Sequence, residues 1–357
     1  MPTAAHSLIA PTANPLLEQA LRDKLLRRSE TIGSLGELEP LAVRIGLIQN
    51  TLKPRFHDPQ LVLFASDHGL AVEGPPAAPG HATAERARQA LTGQLPVSVF
   101  AAIQRMSLSV VDAGVAERLE PHERLLMRKI AHGTRNARVG SAMSLEQAQA
   151  AIRAGIEIAE TLPGNVLACA GIGTGGHQSA ALILSRLTGA PVRELLSAGP
   201  QMDQHLLTRL MVLAQGAQGR HRDVTDPVEV LAAFGGFEVA MMVGAMLVAA
   251  GRRHLVMVDG MPACAALMVA ARIAAPVTDY CVFCRSHGHH GLDYALNLFH
   301  TSALLELGME STDGTGAALA WPLLRAAAAL LTEVAEGQDP GPSRPGDLAT
   351  SGFGSLR

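Results

Sequence analysis

Asp313 stands directly before a Gly-Thr-Gly turn in the stretch MESTDGTGAALAWP, residues 309–322. A carboxylate at the start of an Ala/Leu-rich helix has two employments. It can accept backbone N–H groups as an N-cap, for which Asp is strongly preferred, or it can take a proton from a reacting group as a general base. A second Gly-rich turn, GIGTGG at 171–176, follows an apolar run and opens another helical pattern. Gly171, Ile172, Gly173, Thr174 and Gly175 leave backbone N–H groups largely uncovered at a helix start, where the dipole favours an anion, so phosphate binding is the chemistry expected. Gly314, Thr315 and Gly316 have the same character, and two such turns can hold one phosphate between two helix starts. The GIGTGG pattern matches neither the dinucleotide fingerprint nor the lysine-containing phosphate loop. Its plainer reading is a tight strand-to-helix turn.

Two further constellations carry reactive side chains. Asp67-His68, at the end of LVLFASDHG, reads either as an acid–base or substrate-binding pair or as a turn held by side-chain hydrogen bonds. CVFCRSHGHH offers five zinc-ligand types: Cys281, Cys284, His287, His289 and His290. The two cysteines lie in an apolar, strand-like run, where a period of two points them to opposite faces. No separated second ligand pair follows, so the expectation is a polar loop and no metal.

These residues need elements to position them. The runs at 61–69, 108–114, 165–176, 254–260 and 278–284 are apolar and β-rich, and helical patterns lie between them. The pattern at 144–162 opens on Ser144-x-x-Gln147, the form of a capping box. Apolar strands alternating with helices give an α/β fold, a Rossmann-like parallel sheet flanked by helices. Asp67-His68, Asp112, Gly171–Gly176, Asp259 and Cys284–His290 then gather at the carboxyl ends of the strands. Helical periodicity without strands in 15–55, together with the Ala/Leu helix in 316–336, predicts a small helical domain beside a large α/β domain spanning 56–315. Residues 1–14 and the Gly/Pro/Ser-rich 337–357 read as flexible ends.

Bulk composition narrows the class. At 357 residues the chain exceeds the usual size of one core, and with aromatics at 3% that core is aliphatic. A net charge of −3 without a Lys/Arg run argues against nucleic acid and membrane surfaces as partners. Four cysteines make no disulfide framework at this length. The N-terminus lacks the plan of a signal peptide, and the apolar stretch 234–251 carries Glu238 and reads as a buried helix. A cytoplasmic location is the expectation.

An ordered series of stretches resembles one family: GSLGELEPLAVRIGLIQNT (33–51), FASDHGLAVEG (64–74), HGTRNARVGSAMSLEQAQAAIRAGIEIAE (132–160), AGIGTGG (170–176), the run 226–260, and DGTGAALAWPLLRAAAALL (313–331). From about residue 15 to 336 the chain is similar to the nicotinate-nucleotide–dimethylbenzimidazole phosphoribosyltransferases. The resemblance implies a homodimer that moves the phosphoribosyl group of nicotinate mononucleotide to a benzimidazole-like base, with another azole, a purine or a phenolic base as a shifted acceptor, giving an α-ribotide and nicotinate with no cofactor. It implies Asp313 as the base and the turns 171–175 and 314–316 as the phosphate site. It also implies a substrate-base pocket formed by Asp67, His68, Pro76, Glu85 and Ser286. Such a reaction develops positive charge on the ribose, which a carboxylate stabilises, and positioning of the sugar supplies much of the rate.

The chain departs from the family at several of these places. Asp313 stands where the family typically has Glu, Cys169 replaces another Glu, and a lysine expected near the phosphate falls on Leu210. Ser197-Ala198-Gly199-Pro200 replaces Arg-Gly-Thr-Gly, and Pro76-Ala77-Ala78-Pro79 replaces Ser-Ala-Tyr-Pro. Two functions therefore stand side by side. The preserved Gly turns favour an active transferase with a shifted acceptor. The substituted Glu and Lys favour a catalytically degenerate relative that binds a nucleotide or serves as a subunit beside an active paralogue.

Overall fold

Each of the five strand-like runs enters one parallel sheet. The computed structural model describes residues 9–74, 81–197, 202–286, 290–311 and 313–334. The stretches containing Pro76–Pro79, Ala198–Pro200 and His287–His289, and both chain ends, lie outside the described residues. The strands are β1 (Gln60–Ser66), β2 (Ser107–Gly114), β3 (Leu125–Met127), β4 (Val166–Ile172), β5 (Leu255–Val258) and β6 (Cys281–Phe283). Their order across the sheet is β3-β2-β1-β4-β5-β6, with every neighbouring pair parallel. Two short strands, β7 (Arg285–Ser286) and β8 (Leu305–Glu306), pair separately.

Helices α1 (Pro15–Ile32) and α2 (Leu38–Ile48) precede the sheet; α3 (Thr83–Leu91) and α4 (Pro96–Ile103) connect β1 to β2; α5 (Leu145–Thr161) connects β3 to β4. Between β4 and β5 come α6 (Gly176–Thr188), α7 (Val192–Leu196), α8 (Gln204–Arg220), α9 (Pro227–Phe234) and α10 (Phe237–Gly251). The helix α11 (Met261–Ile273) leads to β6, and α12 (His290–Leu298) and α13 (Thr315–Thr332) follow the last strands.

Every residue of β1 and β4 is buried, which is why both read as unbroken apolar runs rather than alternating ones. The sheet order reverses between these two strands. In open α/β sheets that switch point leaves a crevice beyond the strand carboxyl ends, and here Asp67 follows β1 while Gly173 follows β4. The capping box at α5 is present in full: Ser144 Oγ accepts from the Gln147 N–H, and the Gln147 side chain accepts from the Ser144 N–H. Stretch 234–251 contains α10, which packs on β1, β2, β4 and β5 beneath α5.

The contact between α5 and α10 is backbone to backbone. A Cβ added at Gly155 would lie 1.9 Å from the Met241 carbonyl oxygen, and one at Gly244 would lie 2.1 Å from that of Ile152. Neither oxygen can move without parting the helices. Gly155→Ala is expected to destabilise the fold by at least about 1–3 kcal/mol, the usual scale of overpacking. The check is a lowered urea midpoint at unchanged m-value; an unchanged midpoint would show that the two helices have room to separate.

At the chain ends, α13 packs on α2 and α1 and also on α4. Among the described helices it alone is long and apolar enough to cross a membrane, but 61% of it is buried in the protein. Aliphatic side chains such as Leu41, Ile45 and Ile48 of α2 and Leu324 and Leu331 of α13 fill that layer.

Candidate active site

The crevice at the switch point contains a cavity of about 360 Å³. Its polar lining includes Arg86 of α3, Gly171, Gly173 and Gly176 around the β4–α6 turn, His177, Gln178, Arg285, Glu310, Ser311 and Asp313. Met202, Leu206 and Leu210, recurring every four residues along α8 and its approach, add apolar lining to the same cavity. Such a cavity suits a ligand with one flat apolar part and one charged part.

Asp313 projects into this space with its side chain 21% exposed. It does not cap α13. The N-cap is Gly314, at φ 93°, with no side-chain cap bond. The cap comes from another strand end, since Asp259, immediately after β5, accepts the Gly314 N–H at 2.7 Å and the Ala317 N–H at 3.1 Å through Oδ2. The expectation of an Asp313 N-cap is thereby corrected. So is the expectation that Gly314, Thr315 and Gly316 present their N–H groups to a phosphate. The Gly314 N–H is taken by Asp259, and none of the three residues borders the cavity.

Arg285 joins the two carboxylates. Its Nε donates to Asp259 Oδ1 at 2.8 Å, one terminal nitrogen donates to Asp313 Oδ1 at 2.5 Å, and the other donates to the Met309 carbonyl at 2.8 Å. The Arg285 and Asp259 side chains are essentially sealed from solvent. Gly260 completes the arrangement: with φ 92°, it passes so close that a Cβ would lie 2.2 Å from the Asp313 carboxyl carbon. Burial raises the Asp313 pKa, Arg285 pulls it back, and Asp259 raises it again; the carboxyl is pushed up to about 7. The Arg285 guanidinium is held further into its charged form, since the two carboxylates outweigh the effect of its own burial.

The first Gly-rich turn divides between two cavities. Gly171 and Gly173 border the large one, and Thr174 and Gly175 border an adjoining apolar one with Leu70, Leu182 and Leu213. Ile172 is buried as the last residue of β4. The turn is pinned from outside, because the Thr174 N–H donates to Thr83 Oγ1 at 2.9 Å and the Thr174 carbonyl accepts from the His68 N–H at 3.2 Å.

Asp67 and His68 do not act as a pair. His68 is in extended conformation (φ −116°, ψ 126°), so consecutive side chains diverge. Asp67 accepts from Thr83 Oγ1 at 2.5 Å and from the Ala116 N–H at 2.7 Å, tying β1 to α3 and to the segment after β2. His68 Nε2 lies 2.9 Å from Glu238 Oε1, with both side chains buried. Burial alone would lower the His68 pKa, but the Glu238 carboxylate and, less, the Asp67 charge raise it, and the net shift is upward. Neither residue borders the large cavity, nor do Glu85, whose carboxylate accepts from Gln89 at 3.0 Å, and Ser286, buried in β7. Pro76 lies outside the described residues. The base pocket expected from Asp67, His68, Glu85 and Ser286 is therefore not what these four side chains build.

Cys281 donates its thiol to the Val277 carbonyl, and burial pushes that thiol up to about 12; Cys284 is buried and shifted the same way. Among the described residues no cluster of His, Cys, Asp or Glu could hold a metal ion. Cys169 is buried in β4 with a thiol raised by burial, so it cannot stand in for a carboxylate. Asp259 and the segment containing Arg285 fall among the strand-end residues expected at the crevice, without a chemical role, and Arg86 is not among the residues that spacing points to. The signal available was modest: Asp259 and Arg285 are charged residues that end apolar strands.

Comparison with known proteins is consistent with this geometry. A family model described as Phosphoribosyltransferase matches residues 10–341. The nicotinate-nucleotide–dimethylbenzimidazole phosphoribosyltransferase of Cupriavidus taiwanensis is 41% identical over 324 residues, 90% of this chain and 92% of the relative. The enzyme of that name from Janthinobacterium sp. (strain Marseille) is 38% identical over 330 residues, 92% of this chain and 96% of the relative. The crystal structure of the Thermus thermophilus enzyme of that name superposes with a TM-score of 0.85 at 30% identity, covering 93% of this chain and all of that one.

Proposed function

We propose that this chain, which belongs to the nicotinate-nucleotide–dimethylbenzimidazole phosphoribosyltransferase family, moves the phosphoribosyl group of nicotinate mononucleotide to a benzimidazole-type base. The observation that carries the reading is the Asp313 carboxyl lining one cavity with Gly171, Gly173 and Gly176 of the first turn and with Met202, Leu206 and Leu210, its pKa pushed up to about 7. A base with a pKa near the working pH is the one best matched to proton transfer. The pyridine-type nitrogen of the azole bonds to the anomeric carbon, and the proton on the ring's other nitrogen passes to Asp313. The electrons of the breaking glycosidic bond return to the pyridine ring, and neutral-ring nicotinate departs.

The Asp313 carboxylate also faces the positive charge that develops on the ribose, where a partly buried anion is worth more than in water. The stripe of Met202, Leu206 and Leu210 gives the flat base its apolar contact. No resident cofactor enters this scheme. We further propose a small helical domain formed by 15–55 with 316–336, a homodimer, and action in the cytoplasm.

Purified protein incubated with nicotinate mononucleotide and a panel of benzimidazoles, purines and phenols is expected to release nicotinate with at least one acceptor. The accompanying ribotide is expected to carry the α configuration by NMR. Absence of nicotinate with every acceptor would refute the transferase reading.

A further inference from the structure

Among the described residues, three basic side chains border the cavity: Arg86, His177 and Arg285. Arg285 is committed to Asp259, Asp313 and the Met309 carbonyl. His177 Nε2 lies 2.9 Å from the Leu195 carbonyl. Arg86 differs from both. It is half-buried, and its guanidinium makes no hydrogen bond and no ion pair among the described residues. A cation facing a cavity with all five donors uncommitted is prepared for an anionic ligand.

Its place on α3 strengthens this. Thr83 is three residues earlier and so on the same helix face, and its hydroxyl fixes the 171–176 turn by accepting the Thr174 N–H. Arg86 thus stands one helical turn from that contact. Its charge reaches the Asp313 carboxyl, which it favours in the ionised form. Among the described residues, α8 and its approach line the cavity with Met202, Leu206 and Leu210 and with no cation.

We propose that Arg86 is the side-chain cation that receives the phosphoryl group of the nucleotide donor, clamping it against the 171–176 turn. This rests on the transferase reading above and names the residue through which that site holds its donor. The cation enters from α3, whereas a side chain at position 210 would enter from α8. A guanidinium can meet two phosphoryl oxygens at once, which the point charge of an ammonium cannot.

A carboxylate on the acceptor would present similar chemistry, so donor and acceptor are varied separately. Arg86→Gln is expected to raise KM for nicotinate mononucleotide by about 10–100-fold, the scale of a lost charged hydrogen bond, with the acceptor KM unchanged. Arg86→Lys should recover part of the loss. Calorimetric affinity for nicotinate mononucleotide and for inorganic phosphate should fall by a similar factor in Arg86→Gln, while the ligand-free melting temperature stays put. Wild-type protein that binds the nucleotide in an Arg86-dependent way yet releases no nicotinate would keep this proposal and remove the transferase reading. Equal affinities in wild type and variant, no binding to either, or an effect confined to the acceptor KM would overturn it.

Discussion

Asp313→Asn is expected to lower kcat by about 10²–10⁴-fold, the usual contribution of a positioned general base, while the protein stays folded and still binds its donor. The amide keeps the size and one acceptor for Arg285 but cannot take a proton. Folding should survive because α13 is capped by Asp259 and not by this side chain. Circular dichroism and the urea midpoint separate the outcomes: a variant that unfolds, with full activity per folded molecule, would reduce Asp313 to a structural role.

The pH profile adds a second readout. The carboxyl is a base only when ionised and its pKa is pushed up to about 7, so kcat/KM should fall as pH drops below 7, and Asp313→Asn should abolish that limb. Stability runs the other way. The folded state holds a proton on Asp313 between about pH 4 and pH 7 that the unfolded chain has released, so this group makes folding less favourable as pH rises across that window. The asparagine variant should lose that slope.

Arg285→Met is expected to have the largest effect on stability. The guanidinium is buried between Asp259 and Asp313 and also holds the Met309 carbonyl. Removing it leaves two carboxylates facing each other without a cation, and breaking a buried ion pair in this way costs about 3–5 kcal/mol. The urea midpoint should fall accordingly. At temperatures where the variant remains folded, the acid limb of kcat/KM should move above pH 7, because the charge that holds the Asp313 pKa down has gone. Arg285→Lys should fold better than the methionine variant but not restore full rate, since an ammonium cannot address Asp259, Asp313 and Met309 along three separate directions. A methionine variant with unchanged midpoint and unchanged kcat would show that the cluster carries neither load.

The framework was readable because it depends on local patterns. Unbroken apolar runs became β1 and β4, and Ser144-x-x-Gln147 became the cap of α5. The strand β3 escaped notice because three residues flanked by Arg124 and Arg128 carry no period. The site was readable only in part. Asp313 and Gly171–Gly173 could be named from type and context, but the partners that define Asp313 come from 28 and 53 residues away, at Arg285 and Gly260. Asp67 and His68 are adjacent in sequence and were read as one unit. Extended backbone sends one to Thr83 and the other to Glu238. The DGTG turn reads as an anion site, and its Gly314 amide, together with that of Ala317 just beyond it, does meet an anion; the anion is Asp259, supplied by the protein itself.

That last helix also sets a schedule for biosynthesis. The apolar side chains of α2 are made early, yet their cover, α13, is translated more than 260 residues later. At about 5–20 residues per second, the nascent polypeptide carries this sticky surface for on the order of ten to fifty seconds. All strands of the main sheet have emerged by then, so a ribosome-bound intermediate with a finished scaffold and no working acid is the natural client for a chaperone.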